Sequence, residues 1–330
     1  MMSGNPILIH FHFHKRRTGV TRSIENVIPS LQQKFEFYIF GYGIAGPKIK
    51  LKRLLKLVMS RTYFVLHAHR NNEIMVALLL RMLGGKFKLI ATRHAESTPS
   101  SLTLFLLRRA DEVVALTNSM AAELPMKATV IGHGVDTSVF VPSQTTGIHG
   151  VAQKNSVSVI GRVRKAKGQH IFLEAIGPLL KSNPQWAAVI TGRVDKPAYR
   201  EELQQIVKKF GVEDQVYFFE ETADIIPVYQ GSTVVVVPSF TEGFSLVCLE
   251  AMSCGCVVIA TEGVGIHSEL IQHGKTGYLF PAGNVENLQT LFKEAMTQQN
   301  PHMAIDVRQF TVSNWDIEVE SANLTQLYLQ

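Results

Sequence analysis

The sequence predicts an α/β protein made of two doubly wound units, each a parallel sheet with helices on both faces. Continuous apolar runs, typical of buried parallel strands, alternate with helix-favouring segments along the chain. This alternation is interrupted by one loop of small and polar residues, PSQTTGIHGVAQKNS (142–156), and then starts again. A length of 330 residues with 46% hydrophobic residues also exceeds what one core usually holds, which favours two domains.

The first half of the chain contains six strand-like runs. In order they are PILIHF, FEFYIF, YFVLHAH, KFKLIATRH, DEVVALT and KATVIGH. Between them lie helix-favouring segments such as SIENVIPSLQQ and NEIMVALLLRMLGG. We therefore expect residues 1–145 to form the first Rossmann-like domain.

The second half repeats the pattern with SVSVIGRV, WAAVITG, QVYFF, STVVVVPS, CVVIAT and TGYLFP. Helices are expected after Gly168 and after Glu242. Residues 146–312 are predicted to form the second Rossmann-like domain. Residues 313–330, which contain NWDIEVESANLTQLYLQ, are predicted to form a C-terminal helix that has the option of packing back on the first domain.

Composition restricts the partners and the compartment. A formal net charge of +6 and a pI near 9.2 suit phosphate ligands, acidic lipid or nucleic acid. Nucleic acid is the least favoured of these, because neither zinc-finger spacing nor a basic strand interleaved with aromatic residues is present. Three cysteines without a disulfide framework favour a reducing cytosol. No apolar run is long enough to cross a bilayer, and the N-terminal charges follow the apolar stretch, unlike a secretory signal.

The loop GRVRKAKG (161–168) follows one predicted strand and opens a helix. Arg162 and Lys167 carry two of its cations, and the N-terminus of the helix adds backbone donors. An arginine fork and a lysine ammonium together suit a diphosphate. On local grounds an ordinary solvated basic loop is equally compatible with this pattern.

Two carboxylates, Glu242 and Glu250, lie in EGFSLVCLE directly after a buried strand. If the helix begins near Phe244 or Ser245, Glu250 lies about two turns inside it, and the carboxylates differ by about 9–12 Å along the axis. Glycosidase carboxylates sit about 5–9.5 Å apart, so the spacing favours two contacts on one long ligand over an acid and nucleophile pair. A helix-start glutamate and a solvated helix glutamate remain the alternative. The amides expected to face anionic oxygens belong to Gly243, Phe244, Ser245 and Leu246.

Together these segments resemble the retaining family-4 glycosyltransferases of the GT-B fold. The resemblance rests on four pieces in order: GHGVDTSVFVP, GRVRKAKG, EGFSLVCLE and GVGIHSELIQHGKTGYLFPAGN. The segment HKRRTGVTRSIENVIPSL resembles more narrowly the lipopolysaccharide core mannosyltransferases of this family. The resemblance implies two Rossmann-like domains that face each other across a cleft.

The resemblance also implies a role for each site residue. Arg162 and Lys167 would bind the diphosphate of a nucleotide sugar. Glu242 would hold hydroxyls of the donor sugar, and Glu250 the ribose hydroxyls. His94, in ATRHAES, matches the histidine near the sugar and acceptor, although from its residues alone it could equally be structural. These assignments make His94, Arg162, Lys167 and Glu242 the candidate catalytic residues.

The loop before the first helix departs from the pattern of many relatives, which carry two adjacent glycines there. Here the pair is Thr18 and Gly19. Close approach of a donor to this backbone would therefore depend on Gly19 alone.

The expected activity is retaining transfer of a hexose from a nucleotide sugar. Mannose from GDP-mannose is the first guess, and the expected acceptor is a lipopolysaccharide core or a related glycolipid. The alternatives are a GT-B sugar-nucleotide epimerase and a catalytically inactive scaffold that binds a sugar nucleotide. No Asp-x-Asp occurs in the sequence, so we expect no metal or other cofactor, and the basic loop would stabilise the leaving group.

Two further segments carry separate hypotheses. HFHFH places His10, His12 and His14 on one strand face, where they could ligate a metal. No carboxylate nearby completes such a set, which favours a strand end that enters the cleft.

The segment PKIKLKRLLKLVMSR (47–61) alternates basic and apolar residues. As a helix it could lie on an anionic membrane surface, which would suit a lipid-anchored acceptor and a peripheral position on a cytoplasmic membrane face. A solvated surface helix is the alternative. The cations concerned are Lys48, Lys50, Lys52, Arg53 and Lys56.

Overall fold

The computed structural model describes residues 5–16, 18–143, 147–297 and 301–330. The chain forms two compact units, Met1–Gly134 with Asp316–Gln330, and Val135–Trp315. The first unit therefore ends before the predicted boundary at residue 145. Residues 144–146 of the predicted boundary loop lie outside the described residues. Each unit is a doubly wound α/β layer structure, so the predicted fold class is confirmed.

The first unit contains a parallel six-stranded sheet in the order β2-β1-β3-β4-β5-β6. The strands are β1 (Ile7–Phe13), β2 (Glu36–Tyr42), β3 (Phe64–Ala68), β4 (Phe87–Arg93), β5 (Glu112–Ala115) and β6 (Thr129–Val130). The helices between them are α1 (Gly19–Gln32), α2 (Leu51–Met59), α3 (Asn71–Met82), α4 (Ser101–Leu107) and α5 (Asn118–Ala122).

Successive strand residues of this sheet enter opposite apolar layers. Phe11, Leu66 and Leu89 pack on one face, while the neighbours Val65 and Ile90 pack on the other. Since helices cover both faces, a strand gains from apolar residues at every position. This is why the strands are recognisable as continuous apolar runs.

The second unit has the sheet order β12-β11-β10-β7-β8-β9, again parallel. Its strands are β7 (Asn155–Ile160), β8 (Trp186–Thr191), β9 (Val216–Phe219), β10 (Val234–Val237), β11 (Val257–Thr261) and β12 (Tyr278–Phe280). Its helices are α6 (Gln169–Leu180), α7 (Pro197–Phe210), α8 (Ile226–Gly231), α9 (Leu246–Ser253), α10 (His267–Leu270), α11 (Val285–Thr297) and α12 (Pro301–Trp315). The strand order reverses between β7 and β10, which is where open α/β sheets bind ligands.

The C-terminal segment returns to the first unit as α13 (Ile317–Leu329). Asp316 ends the run of α12 because it is extended, and its side chain accepts a hydrogen bond from the amide of Glu318 at 2.8 Å. The predicted helix over 313–330 is therefore two helices meeting at Asp316. Leu324 and Leu327 of α13 join the apolar layer that also contains α1.

No helix within the described ranges is both long and apolar enough to cross a membrane.

Candidate active site

The loops after β7 and β10 meet at the reversal of strand order in the second unit. Lys165–Lys167 form a short 3-10 turn that ends at Gly168, whose φ is 70°. A side chain at Gly168 would overlap the carbonyl oxygen of Pro238, so this approach requires glycine. The amide of Phe240 also donates to the carbonyl of Ala166 at 2.9 Å. The two loops therefore hold each other in place.

This contact brings together two of the predicted site residues. The Lys167 Nζ lies 2.5 Å from the Glu242 Oε1, and the side chains are only 19% and 11% exposed. Ser239 donates its hydroxyl to the same Glu242 oxygen at 2.6 Å. A charge-assisted contact in such a sheltered place is stronger than one in open water. The carboxylate and the ammonium are thus held against each other beyond the carboxyl ends of β7 and β10.

Arg162 lies on the same loop but is bound more loosely. Its side chain is 46% exposed, and its Nη1 lies 3.7 Å from the Asp195 Oδ2. Exposed ion pairs of this length contribute little. The side chain of Gln169 fixes the backbone instead, by donating to the carbonyl of Arg162 at 2.9 Å. The loop is therefore held while the guanidinium can turn toward an anion.

The segment from Glu242 to α9 contains a strained residue. Ser245 is buried and has a φ of 99°, which is unusual for a residue other than glycine. The helix begins at Leu246 rather than at Phe244 or Ser245. Glu250 consequently lies little more than one turn into α9, not two. Strain of this kind is concentrated at ligand sites, which agrees with the assignment of this loop.

The segment with Trp315 and the segment with Gly265 both pack against this loop. Phe244 is buried and packs against Trp315, so only its backbone can face a ligand. Gly265 brings its backbone close to Glu242 and Phe244, where an added side-chain carbon would lie 2.9 Å and 2.8 Å from their atoms. The amide of Ile266 donates to the carbonyl of Phe244 at 3.0 Å. Gly243 itself is half-buried.

Glu250 is almost fully buried and accepts a hydrogen bond from the Tyr229 hydroxyl at 2.5 Å. Sequence reasoning did not find Tyr229 or Ser239. Tyr229 lies in the short helix IPVYQG, whose sequence contains no motif that indicates a binding site. Ser239 is the last residue of STVVVVPS, but its contact with Glu242 depends on a turn that the sequence does not specify.

Gly19 is the first residue of α1 and is exposed. An added side-chain carbon there would meet no atom within 4 Å among the described residues. The preceding Thr18 is fixed by its amide, which donates to the Thr21 hydroxyl oxygen at 3.2 Å. The helix start therefore leaves room for a ligand beside Gly19.

His94 follows β4 in the first unit and is partly buried. Its Nε2 lies 3.0 Å from the Nδ1 of His69, and its ring stacks on His133 with centroids 5.4 Å apart. Burial, with smaller contributions from His133 and Arg70, holds the pKa of His94 well below its usual value. The imidazole is therefore neutral at physiological pH.

The histidines of HFHFH do not form one set. His12 lies 2.7 Å from the carbonyl of Tyr42 and 3.0 Å from the Thr21 hydroxyl. His14 lies beyond the strand and contacts the carbonyl of Arg16. His10, His12 and His14 therefore make separate contacts and do not form the metal set that the sequence already disfavoured. His10 instead lies beside His67 of β3 and His69 directly after that strand, with ring nitrogens of the three within 4.8 Å of one another.

Comparisons with known proteins define the class. Residues 147–308 match the family model described as glycosyl transferases group 1. The chain is 36% identical to the lipopolysaccharide core biosynthesis mannosyltransferase LpcC of Rhizobium leguminosarum bv. viciae, over 84% of this chain and 82% of that protein. The chain therefore belongs to the group 1 glycosyltransferases, and it is a glycosyltransferase with the GT-B fold, as predicted.

One further relative and two solved structures are also similar to this chain. The chain is 32% identical to the lipopolysaccharide core biosynthesis mannosyltransferase LpsB of Rhizobium meliloti (strain 1021), over 96% of this chain and 95% of that protein. The crystal structure of the C-terminal domain of LpcC from Francisella tularensis matches with 31% identity and a TM-score of 0.52, over 56% of this chain and 100% of that one. Anabaena Alr3699/HepE in complex with UDP has a TM-score of 0.83 at 20% identity, covering 97% and 99%, and this likeness concerns the fold.

Proposed function

We propose that this glycosyltransferase transfers mannose from GDP-mannose to a lipopolysaccharide core or related glycolipid, with retention at the anomeric carbon. The observation that carries the proposal is the similarity along nearly the whole chain to two lipopolysaccharide core mannosyltransferases. The contact of Lys167 with Glu242 supports the proposal, because the residue proposed to bind the diphosphate then lies beside the residue proposed to bind the sugar hydroxyls.

In this proposal each side chain has one task. Arg162 and Lys167 bind the diphosphate, and the amides at the start of α9 add donors toward its oxygens. Glu242 accepts hydrogen bonds from hydroxyls of the donor sugar. Glu250 accepts them from the ribose, and His94 contacts the transferred sugar.

Transfer breaks the bond between the anomeric carbon and the diphosphate oxygen, and the electron pair stays on that oxygen. Arg162 and Lys167 stabilise the charge that develops there. The acceptor hydroxyl oxygen forms the new bond to the anomeric carbon on the same face. Its proton passes to the leaving phosphate, so the step needs no side-chain base. Attack on the face that the phosphate leaves retains the anomeric configuration.

A donor panel tests the proposal. Purified protein is incubated with a lipopolysaccharide core acceptor and GDP-mannose, UDP-glucose or UDP-galactose, and sugar transfer is followed by mass spectrometry. Transfer from GDP-mannose alone is the expected result. Isomerisation of a nucleotide sugar without acceptor would favour the epimerase, and nucleotide binding without turnover would favour the scaffold.

We predict that transfer needs no divalent metal. The motive is the missing Asp-x-Asp together with the cations of residues 161–168, which can neutralise the leaving group themselves. The rate should stay unchanged in excess EDTA. Loss of turnover in EDTA that Mg²⁺ or Mn²⁺ restores would contradict this prediction.

We also predict that α2 and the residue before it bind anionic membranes. Lys50, Lys52 and Lys56 are exposed and form no ion pair with any described residue. Arg53 is paired with Glu36 at 2.6 Å, and the Lys48 ammonium donates to the carbonyl of Ile44 at 2.8 Å. Of the five cations expected from the sequence, Lys50, Lys52 and Lys56 are therefore the ones without a partner among the described residues.

Each of these three cations should contribute about 1 kcal/mol near an anionic surface. Replacing all three with glutamine should abolish co-sedimentation with vesicles that contain anionic lipid. Replacing Lys181, Lys196 and Lys208 of the second unit removes the same charge from another exposed place and is the control. Equal binding to neutral and anionic vesicles by the unaltered protein would refute the prediction.

A further inference from the structure

Six side chains of the first unit form one continuous hydrogen-bonded series that ends at His94. It begins at Thr92 in β4, crosses β3 and β1, and passes through the C-terminal helix. In order the contacts are Thr92 Oγ1 to His67 Nε2 at 2.7 Å, His67 Nδ1 to Tyr328 Oη at 2.7 Å, Tyr328 Oη to His10 Nε2 at 3.1 Å, His10 Nδ1 to His69 Nε2 at 3.3 Å, and His69 Nδ1 to His94 Nε2 at 3.0 Å.

Every imidazole in this series is neutral. Burial lowers the pKa of His10 to about 3 and holds the pKa values of His67 and His69 well below their usual range. A neutral imidazole has one N–H donor and one nitrogen acceptor. Both nitrogens of His10, His67 and His69 are used inside the series. If the Tyr328 hydroxyl accepted from both His67 and His10, its own buried proton would have no acceptor in the series, so Tyr328 accepts from one of them and donates to the other. Fixing one proton then fixes all the others, and two arrangements of the protons remain.

In one arrangement the protons point from His94 toward Thr92. The Nε2 of His67 then donates to the Thr92 oxygen, and the Thr92 hydroxyl proton must find another acceptor. Thr92 is buried and has no second hydrogen-bond partner in the part of the chain that the structure describes. A buried donor without an acceptor is costly.

In the other arrangement Thr92 donates to His67, and every later hydrogen bond of the series is donated in the same direction, toward His94. Tyr328 then accepts from His67 and donates to His10. His69 donates to His94 at Nε2, so His94 carries its own proton on Nδ1. That nitrogen has no hydrogen bond to any described residue. Every other proton of the series has an acceptor in this arrangement, and the His94 Nδ1 atom is not one of the described buried atoms that lack a partner.

We propose that Thr92, acting through this series, fixes His94 as the tautomer protonated on Nδ1. His94 then presents an N–H donor to an oxygen of the substrate and has no lone pair with which to act as a base. Thr92, His67, His10, His69 and Tyr328 are positioning residues, since they act through His94. The substrate contact rests on the proposed sugar-binding role of His94, but the tautomer is a property of the free protein.

Imidazole ¹⁵N NMR on histidine-labelled protein measures the tautomer directly. In the unaltered protein the His94 resonances should show Nδ1 protonated in an excess of roughly tenfold or more, the scale of one orphaned buried hydroxyl. Thr92→Val keeps the shape but removes the hydroxyl, so the two tautomers should become comparable. Thr92→Ser is the matched control, because it keeps a donor at the same place and should keep the single tautomer.

Kinetics supply an independent readout. The side-chain amide of His94→Asn can still donate near the Nδ1 position, whereas His94→Ala cannot. We expect the asparagine variant to retain about tenfold more kcat/KM than the alanine variant. Equal loss in both variants, with the NMR result intact, would reject the substrate contact and leave the tautomer assignment standing.

Two results would overturn the assignment itself. The first is a His94 proton on Nε2 in the unaltered protein, as expected if a water in the cavity of about 20 Å³ beside these rings takes the Thr92 proton. The second is stoichiometric zinc in the purified protein, because a metal on His10, His67 and His69 would occupy nitrogens that the series needs.

Discussion

Replacing Glu242 with glutamine is expected to lower the kcat of sugar transfer about 100-fold, the equivalent of about 2.7 kcal/mol of transition-state stabilisation. Glutamine keeps the shape of the side chain but removes the charge that faces Lys167 and, in the proposed donor position, the sugar. As the sugar gains positive character, its hydroxyls become better donors to a carboxylate. Only contacts that tighten in the transition state raise turnover, and the proposed contact of Glu242 with the sugar is expected to be of this kind.

Glu250→Gln is the matched comparison. Glu250 lies one turn into α9 and is held by Tyr229, and its proposed ribose contacts are alike in the ground and transition states. This variant should therefore raise the donor KM with little change in kcat. Steady-state kinetics on both variants decide which of the two carboxylates contacts the sugar and which contacts the ribose. Loss of turnover at Glu250 with mere loss of affinity at Glu242 would mean that the donor lies in the reverse direction.

Replacing Lys167 with methionine is expected to weaken binding of the nucleoside diphosphate by about 1.5–3 kcal/mol, roughly 10- to 150-fold in Kd. Methionine preserves the length of the apolar stem and removes only the ammonium. Arg162→Ala should weaken binding on the same scale, because its guanidinium is only loosely held by Asp195. Isothermal titration calorimetry with GDP and UDP measures both effects.

Lys165→Met is the control for this experiment. Lys165 lies on the same turn, but its side chain is 71% exposed and points to Glu202 at 3.1 Å. The Lys165→Met variant should bind the nucleotide with the same affinity as the unaltered protein. Equal weakening at Lys165 and Lys167 would indicate a general attraction of the loop for anions, and unchanged affinity in the Lys167 and Arg162 variants would exclude them from the diphosphate site.

The strands could be predicted because burial on both faces leaves a strong local signal. The strands Val234–Val237 and Trp186–Thr191, which lie in STVVVVPS and WAAVITG, are buried along their whole lengths, so their residues are almost entirely apolar. The turns that bring the site together were recognisable for a related reason. Gly168 is required where its backbone meets Pro238, and a glycine between a basic loop and a helix is visible in the letters.

The direct contact between Lys167 and Glu242 could not be predicted from the residues. It joins positions 75 apart in the chain and depends on the neighbouring places of β7 and β10 in the sheet. The histidine series is still less visible, because the contact of His10 with Tyr328 spans 318 positions. Periodicity describes which face a residue takes, but it carries no information about which distant residue it meets there.

The return of α13 to the first unit has a consequence during synthesis. The strands β1 to β6 leave the ribosome before the second unit, Val135–Trp315, is made. At about 5–20 residues per second that delay is on the order of ten to forty seconds. Throughout it, the apolar layer that Leu324 and Leu327 will cover stays open, and His10 and His67 have no tyrosine between them. The nascent first unit thus exposes apolar surface beside His10 and His67 until α13 is synthesised.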